Sequence, residues 1–193
     1  MANENCPIPN NINPLSPTGF KLSITKIPEV TYFCQEANLP ELGLESVDIG
    51  TPFSVSAVPG EMLRFGELSV NFIVDEEMKN YKAIHTWLIG LGFPEDYLQY
   101  QSLVNSQQTS TNTPLTGALP VPKFGDMLGN YSDGVLEILG SSNTAVQTIR
   151  FVDLHPVNLG TLNFQANATD VNYLIGSATF KYTYYSFVEP VTI

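Results

Sequence analysis

Positive charge is scarce in this chain. Its 193 residues include eight Lys and Arg against 19 Asp and Glu, a formal net charge of −11. The basic residues are scattered and form no cluster able to neutralise a phosphate backbone, so tight nucleic-acid binding is not expected. A smooth acidic surface is one past which DNA can slide, because like charges repel. Histidine is scarcer still. His85 and His155 are the only imidazoles, and neither accompanies a recognisable nucleophile motif. His85, beside Ile84 and near Trp87 in a helical stretch, reads as a boundary packing residue. His155, between Leu154 and Pro156, reads as a surface residue or one held by a backbone hydrogen bond.

The two cysteines, Cys6 and Cys34, belong to no C-x-x-C pair, and no H-x-x-x-H pair exists, so no metal site is expected. The N-terminus has neither a basic n-region nor an apolar run, so no export signal is read and both thiols are expected reduced. The sequons at Asn130 and Asn167 then carry no meaning. No stretch reaches the roughly 20 apolar residues that cross a membrane. The triplet Asp75-Glu76-Glu77 is explained by a helix start, where carboxylates favour the dipole, without a bound cation. Neither enzymatic activity nor a cofactor is expected.

What the chain has in quantity is apolar side chains in strand-like order, on a length that suits one domain with a substantial core. Residues 1–19 are rich in Asn and Pro and read as an extended arm; residues 20–193 form the domain. "FKLSITKI" alternates Phe20, Leu22 and Ile24 against polar neighbours, the period of a half-buried strand, and "EVTYFCQEA" reads as its hairpin partner. The section from Asn38 to Phe65 mixes Pro, Gly and isolated apolar residues and reads as an outstretched loop or β-hairpin. "GELSVNFIV" sets Leu68, Val70, Phe72 and Val74 on one face. A helix follows, N-capped by Asp75, with Met78, Tyr81, Ile84, Leu88 and Leu91 on its apolar face and Gly90, Gly92 and Pro94 ending it. From Gln99 to Pro122 there is no charge, and residues 93–123 read as an inserted loop. Strands resume at Gly134 and Ala145, joined by a "GSSN" turn, and the last strand sets Ala178, Phe180, Tyr182 and Tyr184 on one face. The expected fold is mainly β (α+β): an antiparallel sandwich or barrel-like sheet of six or seven strands flanked by one amphipathic helix.

An arm, a long loop with apolar residues and an uncharged insert are features of an assembly protein. Phe53, Val55, Val58 and Met62 line the long loop and are expected to meet another chain. Unpaired sheet edges favour closed rings. A monomeric binding module is the alternative, with Tyr182, Tyr184 and Tyr185 as a stacking surface for a carbohydrate or peptide.

The order of segments resembles the tail tube proteins of contractile-tailed bacteriophages, a family that includes the inner-tube proteins of related injection machines. "FKLSITKIPEVTYFCQEANLPELGLESVDIGTPF" is similar to the family's first hairpin, Leu-Pro pair and long loop. "GELSVNFIVDEEMKNYKAIHTWL" is similar to its strand, acidic turn and single Trp-bearing helix. "LHPVNLGTL" resembles its Leu-x-Pro-x-x-hydrophobic-Gly-x-Leu turn, carried here by Leu154, Pro156, Leu159, Gly160 and Leu162, and "SATFKYTYY" its closing strand. The resemblance implies hexameric rings whose sheets join into one inner barrel, stacked into a tube inside a contractile sheath. It also implies sheath, baseplate or neck proteins as partners, DNA passing through the lumen without specific binding, and residence in the virion after assembly in host cytoplasm. Leu154, Pro156 and Leu159 would then position the last strand at the subunit interface. The arm and the insert depart from the simplest members, which raises a tube initiator or terminator as an alternative role.

Overall fold

The expected first strand forms where the alternation places it: β1 is Phe20–Ile24, with Leu22 and Ile24 buried. The computed structural model describes residues 13–50, 52–107, 130–165 and 173–188. Cys6, the rest of the arm up to residue 12 and residues 108–123 of the insert lie outside this set. Pro28 then opens a short helix, α1 (Pro28–Phe33), in place of the expected hairpin partner. Proline suits a first helical turn because its missing N–H has no intrahelical partner to lose. Only Cys34–Ala37 continue as a strand, β2, and its partner lies far downstream.

β3 (Leu42–Gly50) and β4 (Val55–Phe65) form a hairpin, as the loop-or-hairpin reading allowed. β5 (Leu68–Ile73) buries Leu68, Val70 and Phe72, the face read from sequence. The helix after it, α2 (Lys79–Gly92), starts later than an Asp75 cap requires. The Asp75 carbonyl accepts from the Met78 N–H at 2.8 Å, and the Asp75 N–H donates to Asn80 Oδ1 at 3.3 Å. These bonds close a turn ahead of the helix, with Met78 in the left-handed region at φ 54°. Asn80 is fully buried and donates through Nδ2 to the Ile73 carbonyl at 2.7 Å, tying helix to strand. The buried stripe of α2 runs through Asn80, Ile84, Trp87 and Gly90, rotated from the expected face, whose Tyr81, Leu88 and Leu91 are half-buried.

Gly90 does not end α2. It lets α3 (Tyr97–Gln107) approach, since a Cβ there would lie 2.9 Å from Leu103 Cβ. The helix ends at Phe93, whose left-handed φ of 31° lets its N–H reach the Ile89 carbonyl at 2.6 Å. The insert expected as a loop is therefore helical through Gln107, and three helices stand among the described residues where one was expected.

β6 (Ser132–Leu139) and β7 (Ala145–Leu159) flank the expected turn, in which Asn143 takes φ 58° and bonds the Gly140 carbonyl at 2.9 Å. The segment "LHPVNL" is a continuation of β7, not a turn. Asp153 explains why alternation hid this. At φ 57° it shifts the inward parity from Ile149 and Phe151 to Leu154 and Pro156, as a bulge does. The last strand is also split, into β8 (Ile175–Lys181) and β9 (Tyr184–Val188). Thr183 sits at the break, its N–H on the Val152 carbonyl at 2.9 Å and its hydroxyl on Asp153 Oδ2 at 3.2 Å. At this corner β7 serves two sets of partners: β6 and β9 along its first part, β8 along its second.

The strands follow the order β1-β6-β7-β8-β5-β2, every pairing antiparallel, with β9 also on β7. Their inner faces and α2 enclose Leu22, Val70, Phe72, Trp87, Phe151 and Phe180, all essentially inaccessible to solvent. Trp87 donates its indole N–H to the Asn130 carbonyl at 3.1 Å, and the Lys26 ammonium lies 4.6 Å above its ring. The expected mainly β class, an antiparallel sheet with helical cover, is what forms.

Candidate assembly interface

The hairpin β3–β4 leaves the body at an aromatic root. Phe65 meets Tyr182 and Tyr185 edge-on with centroids 6.1 and 5.6 Å apart, and the Tyr185 hydroxyl donates to the Pro40 carbonyl at 3.4 Å. From there the ladder runs from Leu42 opposite Phe65 to Gly50 opposite Val55. One irregularity interrupts it, where Glu45 faces the stretch Gly60–Met62. Only glycine fits at position 60, because a Cβ would stand 2.6 Å from the Glu45 carbonyl oxygen. Arg64 and Glu45 form an ion pair beside this step.

Cross-strand partners share a face. Val47, Ile49 and Val58 therefore line one side of the outer ribbon, while Ala57 and Val55 line the other. Both sides are exposed, and Phe53 at the tip is 98 % accessible. A two-stranded ribbon is marginal in water by itself. Burying one such Phe, Val or Leu contributes about 1.5–3 kcal/mol, so apolar side chains displayed on both faces mark a surface made to be covered.

Phe53, Val55, Val58 and Met62 thus all lie on the hairpin and all face solvent. The other three sequence-derived candidates lie elsewhere. Leu154 is 0 % exposed, Pro156 is buried, and Leu159 is half-buried against the core. Truncating Leu154 to Ala would cost about 2–5 kcal/mol of folding stability, so its packing belongs to the fold. Leu42, Leu44, Val47, Ile49 and Leu63 are exposed hairpin residues that the sequence reading passed over. Their signal was present, since Leu42/Leu44 and Val47/Ile49 each alternate, but a shift of phase at Glu45 separates the two pairs.

A second feature lies at the hairpin's root. A groove of about 400 Å³ runs between the two ends of the strand order. Phe20, Leu136 and Ile138 line it from β1 and β6, Ala37 and Leu39 from β2 and the segment after it, and Leu15, Ser16, Pro17 and Gly19 of the arm also contribute.

Most of the basic residues pair with carboxylates of their own chain. Lys21 pairs with Glu137, Lys79 with Glu77, Arg150 with Asp133 and Lys181 with Glu67. Half-burial lowers the Lys26 ammonium to a pKa of about 8, and burial pushes the Cys34 thiol up to about 11, which keeps it an unreactive thiol at neutral pH. His85 is exposed, outside the boundary packing expected for it, and His155 places Nδ1 3.3 Å from the Asp153 carbonyl with its ring edge-on to Tyr131. No group of three His, Cys, Asp or Glu able to hold a metal occurs among the described residues. The expected tyrosine stacking surface does not form: Tyr182 and Tyr185 pack against Phe151 and Phe65, leaving Tyr184 exposed without them. No helix among the described residues is long and apolar enough to cross a membrane.

No family model and no curated protein matches the chain. Solved structures do. The chain resembles one in the cryo-EM structure of the anti-feeding prophage tube-terminating cap, with a TM-score of 0.60 at 11 % identity, over 98 % of this chain and 100 % of that one. It resembles another in the sixfold-symmetrised baseplate of the same particle, with a TM-score of 0.54 at 14 % identity, over 92 % and 97 %. A chain in the extended sheath–tube complex of an extracellular contractile injection system gives 0.52 at 11 % identity, over 92 % and 93 %. The tail-tube resemblance read from the sequence is borne out at the level of fold.

Proposed function

We propose that the chain is a structural, non-catalytic subunit of the inner tube of a contractile tail or injection apparatus. In this reading it assembles into stacked hexameric rings around an axial channel. The observation that carries the reading is likeness along nearly the whole chain to proteins of tube, cap and baseplate structures. The exposed hairpin supports it, because a ribbon that displays apolar side chains on both faces suits an assembly better than a monomer. Sheath, baseplate or neck proteins are the proposed partners and the virion or a virion-like particle is the proposed location. The net charge of −11 suits a lumen through which DNA passes without sticking.

A second reading has its own support. The likeness to the tube-terminating cap structure covers all of that chain, which suits a terminator at one end of the tube, and a tube initiator at the other end is the related role. Negative-stain electron microscopy of the concentrated protein, with light scattering at low concentration, separates these. Hollow tubes are expected for the bulk subunit and single rings that do not stack for an end protein. A monomer that persists at high concentration would count against both.

A further inference from the structure

Self-assembly leaves open which surface receives the hairpin. We propose that the tip of one copy docks in the groove at the root of the next, with Phe53 as its anchor; this rests on the self-assembly reading above. The two surfaces match in chemistry. The tip from Ile49 to Val58 carries no charged residue, and Phe53 projects from it almost fully exposed. The groove is walled by Phe20, Ala37, Leu39 and Ile138, and its one ionisable lining residue is Glu36, whose carboxylate accepts from Asn71 Nδ2 at 2.7 Å. Docking therefore strips water mainly from apolar surface, and the one carboxylate in the lining keeps the Asn71 amide as a hydrogen-bond donor. A volume of about 400 Å³ admits an aromatic side chain with its neighbours.

Geometry makes the occupant a second copy. Leu39 stands at the groove and three residues before β3 begins, so the groove lies at the hairpin's own root. The paired arms of nine and eleven residues carry the tip roughly 30 Å from that root. A hydrogen-bonded ribbon of that length does not fold back on its base, and the exposure of Phe53 shows that it has not. Tip and groove are different patches of one molecule, so their contact is heterologous. Such contacts close into rings or propagate as filaments. Both groove walls also end in strands paired on one side among the described residues, β1 with β6 and β2 with β5. Their free backbone groups can accept an extended segment beside the anchor.

Two defective variants test this by complementation. Phe53→Asp destroys the tip and keeps the groove; Leu39→Asp spoils the groove and keeps the tip. Each alone is expected to lose association by roughly thirty-fold or more, while circular dichroism stays that of the wild type. Mixed, they are expected to form a heterodimer that grows no further, seen by light scattering on a sizing column. If Leu39→Asp assembles like the wild type while Phe53→Asp does not, the docking site is wrong although self-assembly stands. If the wild type itself never associates, the functional reading fails first. A photocrosslinker, p-benzoylphenylalanine, at position 39 in mixed isotopically labelled copies gives an independent readout. Intermolecular crosslinks to the 49–58 peptide are expected. Crosslinks confined to residues 1–12 of the same chain would mean that the arm, not a neighbour, fills the groove, and would overturn the proposal.

Discussion

Tyr182 shows how one residue can be misread at the surface and matter in the interior. Alternation put it on the face of the last strand, and that face is indeed inward as far as Phe180. Its ring joins Phe65, Phe151 and Tyr185, and its hydroxyl is buried without a hydrogen-bond partner among the described residues. Burial, with the neighbouring Tyr185 adding to it, raises its pKa from 10.0 to about 12. A raised phenol pKa means that the unfolded state gives up its proton first. Between about pH 10 and about pH 12 the unfolded chain therefore holds fewer protons, and stability falls as pH rises. Lys26 acts in the opposite sense. Its depressed pKa leaves the unfolded chain holding more protons between about 8 and 10.5, so its contribution rises with pH there. Comparing variant with wild type cancels the lysine. Tyr182→Phe is expected to stabilise the fold by about 1 kcal/mol near neutral pH, since it removes an unsatisfied buried hydroxyl. The advantage should widen above about pH 10. Urea midpoints at both pH values check it, and a variant less stable than wild type at neutral pH would mean that the hydroxyl has a partner after all.

At the scale of elements, the sequence was legible where period alone decides. β1 and β5 followed directly from alternating Leu22/Ile24 and Leu68/Val70/Phe72, because each keeps one face buried along its length. What stayed hidden were changes of phase. Asp153 at positive φ flips the inward parity of β7, and Thr183 breaks the last strand opposite it; neither is a glycine or proline, so nothing in the pattern announces a corner. The hairpin's apolar residues were read on β4 but not on β3 for the same reason, the irregularity at Glu45. α1 was missed because Pro28 reads equally as a strand break or a helix start. Gly90 reads as a helix stop in the sequence, yet it sits inside α2 against Leu103 of α3, and the two roles can be told apart by measurement. As a mere helix glycine, Gly90→Val would be neutral to slightly stabilising, by a few tenths of a kcal/mol. As the seat of α3, with Leu103 Cβ already 2.9 Å from the missing Cβ, it is overpacked by Val and expected to cost about 2 kcal/mol. Hydrogen exchange should then speed up in Tyr97–Gln107 while β5 to β8 keep their protection. Unchanged exchange in that helix would refute the contact role.

For the whole molecule the deciding quantity is charge per copy. Each copy of the chain brings a net −11, and Lys21, Arg64, Lys79, Arg150 and Lys181 are already paired with its own carboxylates. Few cations remain to attract the acidic surface of a second copy, so long-range electrostatics between copies is repulsive. Under the proposed assembly, short-range attraction must then come from apolar surface, and the hairpin exposes Phe53, Val55, Val47 and Ile49. These two forces respond oppositely to salt. Screening shortens the repulsion to about 10 Å near 0.1 M ionic strength, while burial of apolar side chains is little weakened and is strengthened by sulfate. Assembly is therefore expected to increase as salt rises from about 0.02 M to about 0.3 M. It should increase again as pH falls toward the sequence pI of about 4.4, where carboxylates begin to neutralise. An assembly held by ion pairs between copies would behave in reverse, loosening with salt and with acid. Sedimentation of the wild type across both series distinguishes the two. Phe53→Asp run alongside should remain dispersed at every salt concentration, because screening removes repulsion but cannot replace the apolar contact that the variant lacks.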